Sequence, residues 1–183
     1  LGSWILDQGL TLGVVAIDPS SPFLGGALLG DRIRMENLSK RKGCFIRSMA
    51  TRGTLGGLSV TAQDVVHLLQ AGGYDVIIVE TVGTGQTEHD IISVADTIVL
   101  LTVPGLGDRI QMAKAGIMEI GDIFVVNQSD RPGAEEAYKS LKIEVEANYK
   151  GEGWKPSVVS TVATDGKGIE ELGREVFRHR DYL

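Results

Sequence analysis

Several residue types that build common functional sites are scarce in this sequence. Its 183 residues include one cysteine and three histidines. Cys44 has no second cysteine with which to form an internal disulfide, and we place it in a strand as a small core residue. The histidines are not spaced like metal ligands, so the sequence predicts no zinc site or other transition-metal site. This cysteine usage favours a reducing, cytoplasmic environment.

Aromatic residues, basic runs and long apolar runs are also few. Aromatic residues make up 5% of the chain, and Trp4, Tyr74 and Trp154 are too scattered to form a stacking platform for single-stranded nucleic acid. The net charge is -6, without a block of Lys or Arg that could follow a phosphate backbone. No apolar stretch approaches the roughly 20 residues that a membrane-spanning helix needs. We therefore expect no nucleic-acid partner and no membrane insertion.

Apolar, β-branched runs alternate with segments of helical periodicity. The length suits one α/β domain, and 43% hydrophobic with 23% charged residues is ordinary globular usage. The runs are too continuous for strands with one wet face, which predicts a parallel sheet with helices on both faces. The predicted strands are Leu12–Ile17, Val76–Val79, Ile98–Val103, Ile123–Val126 and Val158–Val162. The predicted helices are Leu58–Ala71, Glu88–Ala95, Ile110–Ile120, Glu135–Asn148 and Ile169–Arg178, and the first residues resemble the end of a further helix.

Glycines gather in the loops around the predicted strands, at 25–26, 56–57, 83–85 and 105–107. In open α/β sheets, ligands bind beyond the carboxyl ends of the strands, where the backbone must approach the ligand closely. These loops predict a nucleotide site.

Two acidic residues lie near the end of the first strand. Asp18 follows the apolar run directly, and Asp31 follows in the next glycine-rich segment. A carboxylate beyond a buried strand is costly unless it is solvated, hydrogen-bonded or near a cation, and Mg²⁺ bound to phosphate would supply that cation. The alternative is that Asp18 caps a turn before Pro19.

A second acidic motif follows the strand Val76–Val79. Glu80 ends this strand and is followed by a glycine-rich turn that contains Gly83. This order has the form of a Walker-B acid and a γ-phosphate sensor. Glu80 would hold Mg²⁺ directly or through water, and the N–H of Gly83 could approach a terminal phosphate without a side chain in the way.

The third motif is Asn127-Gln128-Ser129-Asp130, after the strand Ile123–Val126. In the guanine motif NKxD, the Asn supports neighbouring loops, the Lys stem covers the purine, and the Asp accepts hydrogen bonds from two guanine nitrogens. Gln128 stands in place of the Lys and can cover the ring without supplying a charge. Alternatively, Asn-x-x-Asp after a strand forms an Asx turn.

The fourth motif is the loop 162–168, after the last predicted strand. The backbone of Val162 and Ala163 could contact the guanine O6. Alternatively, the glycines of this loop simply shape a turn from strand to helix.

Together, the segments DPSSP (18–22), GGALLGD (25–31), RGTLGG (52–57), ETVGTGQ (80–86) and PGLGD (104–108) resemble the MeaB/ArgK family in order and spacing. The resemblance covers nearly the whole chain. It implies a three-layer sandwich of the P-loop NTPase type that binds GTP or GDP with Mg²⁺ and hydrolyses GTP.

The resemblance also implies roles for individual residues. Asp18, Asp31 and Glu80 would surround Mg²⁺, and Asp31 would also position the attacking water. Gly83 would sense the γ-phosphate. The guanine base would be bound by the residues of the last two motifs, namely Asn127, Gln128, Asp130, Val162 and Ala163.

The family's implied function is to gate delivery of adenosylcobalamin to methylmalonyl-CoA mutase, or to a related acyl-CoA mutase, and to protect the cofactor. A loop corresponding to Pro104–Lys114 would signal the nucleotide state to the mutase, and Lys114 would take part in catalysis once the partner docks. The full-length protein would form a homodimer through a helical arm.

One departure concerns the phosphate-binding loop G-x-x-x-x-G-K-S/T, which the sequence does not contain. We expect residues 1–183 to be a single GTP-binding domain core that lacks this upstream loop and the downstream dimerisation arm. Two other hypotheses stay open: a mutase-binding module that does not hydrolyse nucleotide, and a transport-associated ATPase or kinase.

Overall fold

The described residues form two parallel sheets of three strands each. The computed structural model describes residues 1–18, 35–50, 60–81, 91–105 and 117–183. Residues 2–95 form one compact unit, and Leu1 with residues 96–183 forms another. Each unit contains one of the sheets.

In the unit of residues 2–95, the central strand is β1 (Leu12–Asp18). It pairs in parallel with β2 (Cys44–Ala50) on one side and with β3 (Val76–Glu80) on the other. The helices described in this unit are α1 (Gly2–Asp7), α2 (Glu36–Ser39) and α3 (Val60–Ala71). Strand β1 is buried from Leu12 to Ile17, as a central parallel strand should be. Its Val15 and Ile17 share a core cluster with residues of α3.

In the other unit, the central strand is β5 (Ile123–Val126). It pairs in parallel with β4 (Val99–Thr102) and β6 (Ser157–Ser160). The helices described here are α4 (Ala134–Asn148) and α5 (Ile169–Tyr182), with a 3-10 turn at Ile117–Glu119.

Alternate residues of β5 pack against different helices. Ile123 and Val125 share a cluster with Leu172 of α5, whereas Phe124 and Val126 share one with Leu141 and Val145 of α4. Since successive side chains of a strand point to opposite faces, α4 and α5 cover opposite faces of this sheet. The predicted α/β fold, with a parallel sheet and helices on both faces, is confirmed.

Strand β2 begins at Cys44, which we placed in a strand although no apolar run marks this segment. It lies at the edge of its sheet, and Phe45 and Arg47 are exposed there. An edge strand has no neighbour on one side, so it does not need the continuous apolar run that marks β1. Residues 88–90 of the predicted helix Glu88–Ala95 lie outside the described residues; Ile91 is helical, and a turn follows at residues 92–94 in place of the predicted helix. Residues 110–116 of the predicted helix Ile110–Ile120 also lie outside the described residues, and Ile117–Glu119 is a 3-10 turn.

Polar contacts fix the amino ends of strands in both units. The backbone N–H of Thr11, before β1, donates to the Asp75 carboxylate at 2.8 Å, and the Thr11 hydroxyl donates to the same oxygen at 2.7 Å. In the other unit, His179 is 3% exposed, and its Nδ1 lies 2.8 Å from the Thr97 hydroxyl. Its Nε2 lies 3.4 Å from Asp122 Oδ1. These contacts join His179 to the segments just before the strands β4 and β5, so His179 has a structural role.

The described helices do not meet the requirements of a membrane span. None of them is both long enough and apolar enough to cross a bilayer.

Candidate functional site

Asp18 and Glu80 are the last residues of two neighbouring parallel strands, so both lie at the edge of the sheet where the carboxyl ends of the strands meet. Strands β1 and β3 are parallel, and Ala16 of β1 is paired with Glu80 of β3. Asp18, the last residue of β1, therefore lies just beyond the level of Glu80. Glu80 is half-buried, whereas only the backbone of Asp18 is described. Carboxylates are hard oxygen donors of the kind that Mg²⁺ takes, so this pair of residues suits the predicted ion.

The other residues predicted to act on the phosphates are Asp31, Gly83 and Lys114, and they lie outside the described residues. Within the part of the chain that the structure describes, no three His, Cys, Asp or Glu residues are grouped so that they could hold a metal ion. The predicted third acidic residue, Asp31, is not in that part.

The side chain of Asn127 joins the loop after β5 to the loop after β6. Its Oδ1 accepts a hydrogen bond from the Thr161 hydroxyl at 3.0 Å and another from the Ala163 backbone N–H at 3.1 Å. In an Asx turn, this oxygen would bind the backbone of its own loop. The Ser129 N–H donates instead to the Thr161 carbonyl oxygen, at 3.0 Å. Asn127 therefore supports a neighbouring loop, which is the geometry that an Asn of NKxD requires.

Thr161 is a residue of this site that was not predicted from the sequence. It is 1% exposed, and its hydroxyl, its carbonyl oxygen and its N–H are all hydrogen-bonded, the N–H to Val126 at 2.9 Å. We call Asn127, Ser129, Thr161 and Ala163 the loop clasp. A hydroxyl residue at the end of the last apolar run was the available signal, but its partner lies 34 residues away.

Gln128 has an unusual backbone conformation, with φ +56°. Among the described residues other than glycine, Gln128 alone has a positive φ. Its side-chain Oε1 is buried and has no hydrogen-bond partner among the described residues. A strained residue with an unsatisfied polar atom often belongs to a functional site, because the fold must hold it against that cost. Asp130, two residues later, is exposed and thus open to a ligand.

The loop 162–168 is closed by its own backbone. The Val162 N–H donates to the Lys167 carbonyl oxygen at 3.0 Å, and the Asp165 N–H donates to the Val162 carbonyl oxygen at 3.1 Å. Gly166 and Gly168 both have φ +75°, so these glycines do shape the turn into α5. The same turn places the Ala163 N–H against Asn127. A turn shaped by glycines is therefore compatible with the predicted contact between the loop backbone and the guanine O6.

Cys44 lies in a strand, as predicted, but it is half-buried on the outer strand β2 and is not among the described core residues, so the expected core position is wrong. Burial raises the pKa of its thiol and outweighs the opposing effect of the Arg41 charge. A protonated thiol is a poor nucleophile and a poor metal ligand.

Comparison with known sequences relates the whole chain to one family. The model of the family "Methylmalonyl Co-A mutase-associated GTPase MeaB" matches residues 1–183. A putative GTPase of Pyrococcus horikoshii is 55% identical over 179 residues, which cover 96% of this chain and 56% of that protein. The GTPase ArgK of Escherichia coli is 38% identical over 188 residues, covering 100% of this chain and 56% of that protein.

A mammalian relative also matches. The mitochondrial methylmalonic aciduria type A homolog of Mus musculus is 40% identical over 178 residues, covering 93% of this chain and 42% of that protein. The chain thus spans about half the length of the curated relatives it matches.

Solved structures share the fold. A crystal structure described as a LAO/AO transport system kinase matches with a TM-score of 0.77 and 27% identity, covering 100% of this chain and 53% of the other. HypB from Helicobacter pylori, crystallised with nickel, matches with a TM-score of 0.56 and 14% identity, covering 98% of this chain and 92% of the other, which indicates a shared fold alone. The fold is that of the P-loop GTPases, and the chain belongs to the family of methylmalonyl-CoA mutase-associated GTPases of the MeaB type.

Proposed function

We propose that residues 1–183 are the core of a single GTP-binding domain whose parent protein binds guanine nucleotides with Mg²⁺ and hydrolyses GTP. The observation that carries this proposal is the loop clasp, in which Asn127 Oδ1 accepts hydrogen bonds from Thr161 and Ala163. This support of a neighbouring loop is what the first residue of NKxD would provide, and the exposed side chain of Asp130 could bind a base. The family membership supports the same activity.

Guanine selectivity would come from Asp130. Its carboxylate would accept hydrogen bonds from two guanine nitrogens that adenine cannot offer as donors, and a bound adenine would cover the carboxylate without supplying these hydrogen bonds. The stem of Gln128 would cover the base, and the backbone of Val162 and Ala163 would face the guanine O6.

Hydrolysis would depend on positioning rather than on covalent chemistry. Asp18, Asp31 and Glu80 would hold Mg²⁺, which when bound neutralises charge on the phosphate oxygens. Asp31 would also orient the attacking water, and the backbone N–H of Gly83 would contact the γ-phosphate. The lysine and hydroxyl of a phosphate-binding loop would come from a segment upstream of these residues.

The biological role proposed for the parent protein is to gate delivery of adenosylcobalamin to methylmalonyl-CoA mutase, or to a related acyl-CoA mutase, in the cytoplasm. The family description names that mutase as the associated protein. The loop Pro104–Lys114 would report the nucleotide state to the mutase, and Lys114 would assist hydrolysis once the mutase is bound. A downstream helical arm would form the homodimer.

The first test compares this chain with a version extended upstream to include any phosphate-binding loop. A fluorescent GDP analogue would be titrated into each protein with Mg²⁺, and GTP and ATP would compete for it. We expect tight binding by the extended protein alone, and displacement by GTP but not by ATP. If the extended protein does not bind the analogue, the GTPase proposal fails and the mutase-binding module becomes the better account.

The second test ranks the acidic residues by GTP turnover in the complete protein. Glu80→Ala and Asp31→Ala should each reduce turnover by roughly 10- to 100-fold, because each removes a ligand or a water-orienting group. Asp165→Ala, in the exposed part of the loop 162–168, should have a smaller effect. Equal effects of the three substitutions would contradict the assignment.

An ATP-dependent kinase is the alternative suggested by the structural match to a LAO/AO transport system kinase. Asp130→Asn distinguishes the two activities. If Asp130 binds guanine, the variant should shift its preference from guanine towards xanthine nucleotides, because the amide donates a hydrogen bond where the carboxylate accepted one. An unchanged preference, with ATP bound as well as GTP, would favour the kinase.

A further inference from the structure

Gly168 lies where a side chain cannot be accommodated. It is the residue before α5 and has φ +75°, a conformation that L side chains rarely adopt. A Cβ added there would lie 2.1 Å from the Ser160 carbonyl oxygen and 3.1 Å from its carbonyl carbon. The close neighbours are backbone atoms at the end of β6, which cannot move aside as a flexible side chain could.

The backbone that meets Gly168 carries the loop clasp. Thr161 follows Ser160 directly, and its Cα would lie 3.2 Å from the added Cβ. The Thr161 hydroxyl and carbonyl oxygen are the atoms that bind Asn127 and Ser129, each at 3.0 Å. A displacement of residues 160–161 would therefore be passed to the loop that contains Gln128 and Asp130.

We infer that Gly168 is a positioning residue for the guanine base. Because it has no side chain, the start of α5 can lie against Ser160, and this keeps Thr161 and Ala163 aligned with Asn127. The inference rests on the proposed function, because this alignment affects nucleotide binding only if Asp130 binds guanine.

Gly151 provides a matched control. Its φ is +82°, and an added Cβ would meet nothing within 4 Å. Gly151→Ala therefore introduces the same kind of backbone strain as Gly168→Ala without the backbone collision. It is exposed in the loop between α4 and β6, and that loop contains none of the residues assigned to nucleotide binding.

The test measures dissociation constants of the complete protein for GDP and for inosine diphosphate. Inosine lacks the exocyclic amino group that Asp130 would bind in guanine. We expect Gly168→Ala to weaken GDP binding by roughly 10-fold or more and to reduce the preference for GDP over inosine diphosphate. Partial unfolding alone would lower the competent fraction equally for both nucleotides and leave their ratio unchanged. Gly151→Ala should keep the wild-type ratio.

Thr161→Val covers the case in which Gly168→Ala does not fold. It removes the clasp hydroxyl with little change of shape, so it should reduce the same nucleotide preference. A wild-type ratio in Thr161→Val and in any folded Gly168→Ala protein would overturn the inference.

Amide hydrogen exchange tests the geometry without nucleotide. In Gly168→Ala, the Ser129 and Ala163 amides should exchange faster than in the wild type and in Gly151→Ala, because the displacement separates each N–H from its acceptor. Unchanged exchange at both amides would refute the positioning role alone. Absence of GDP binding by the wild-type protein would instead refute the proposed function.

Discussion

Thr161 is almost fully buried, so its hydroxyl binds Asn127 in the folded chain in place of the water that it binds in the unfolded chain. Removing it leaves Asn127 Oδ1 with one described donor, the Ala163 N–H at 3.1 Å. We expect Thr161→Val to lower the free energy of unfolding by about 1 kcal/mol, the typical net value of such a bond. Urea unfolding measures the change. Thr164→Val, at an exposed hydroxyl, is the control, and an equal loss there would contradict the prediction.

Asp75 makes the stability of its unit depend on pH. Hydrogen bonds from the Thr11 hydroxyl and then from the Thr11 N–H lower the pKa of the Asp75 carboxyl. A pKa that is lower in the folded state contributes stability above the unfolded value of about 3.9, and this contribution disappears as the pH falls through the folded value. Asp75→Asn should therefore be less stable than the wild type at pH 7, and the difference should shrink towards pH 3.

Urea midpoints at several pH values would measure this difference. Thr11→Val removes the largest cause of the lowered pKa, so it should reduce the same pH-dependent part of the stability. A difference between Asp75→Asn and the wild type that stays constant from pH 7 to pH 3 would show that the carboxylate is not the cause.

At the scale of elements, helix α4 contains two apolar residues with opposite surroundings. Leu141 is 2% exposed in the cluster with Phe124 and Val126, whereas Ile143 is 68% exposed. Leu141→Ala should lower the free energy of unfolding by about 2–5 kcal/mol, because it removes buried methyl groups and leaves a cavity. Ile143→Ala should change it by less than about 0.5 kcal/mol. Comparable losses in urea unfolding would contradict the packing of α4 on β5.

At the scale of the whole molecule, the unit of residues 96–183 contains its own core. Apart from Leu1, the described residues of the clusters on both faces of β5 all belong to this unit, and so do the residues of the loop clasp. We expect residues 96–183, expressed alone, to fold cooperatively.

The fluorescence of Trp154 can report this folding. Its indole N–H donates to the Asp122 carbonyl oxygen at 2.9 Å in the described structure. Urea unfolding of the isolated unit should give one sigmoidal transition in Trp154 emission. A gradual change without a cooperative transition would show that the unit needs the rest of the chain.

The sequence predicted the α/β class, the parallel strands β1, β3, β4, β5 and β6, and the family. These features depend on local patterns, since a strand buried on both faces must be apolar throughout and motif order is carried by the chain itself. It also indicated that Asn127 would support a neighbouring loop, because the residue type and its place after a strand are local signals.

The way in which Asn127 supports that loop depends on contacts that form only in the folded chain. Thr161 binds Asn127, from which it is separated by 34 positions in the sequence. Position 168 requires glycine because a Cβ there would collide with the Ser160 carbonyl oxygen. The positive φ of Gln128 and the edge position of β2 were likewise set by neighbours distant in sequence. Such contacts form only when separate strands and loops come together, so no local pattern of residues specifies them.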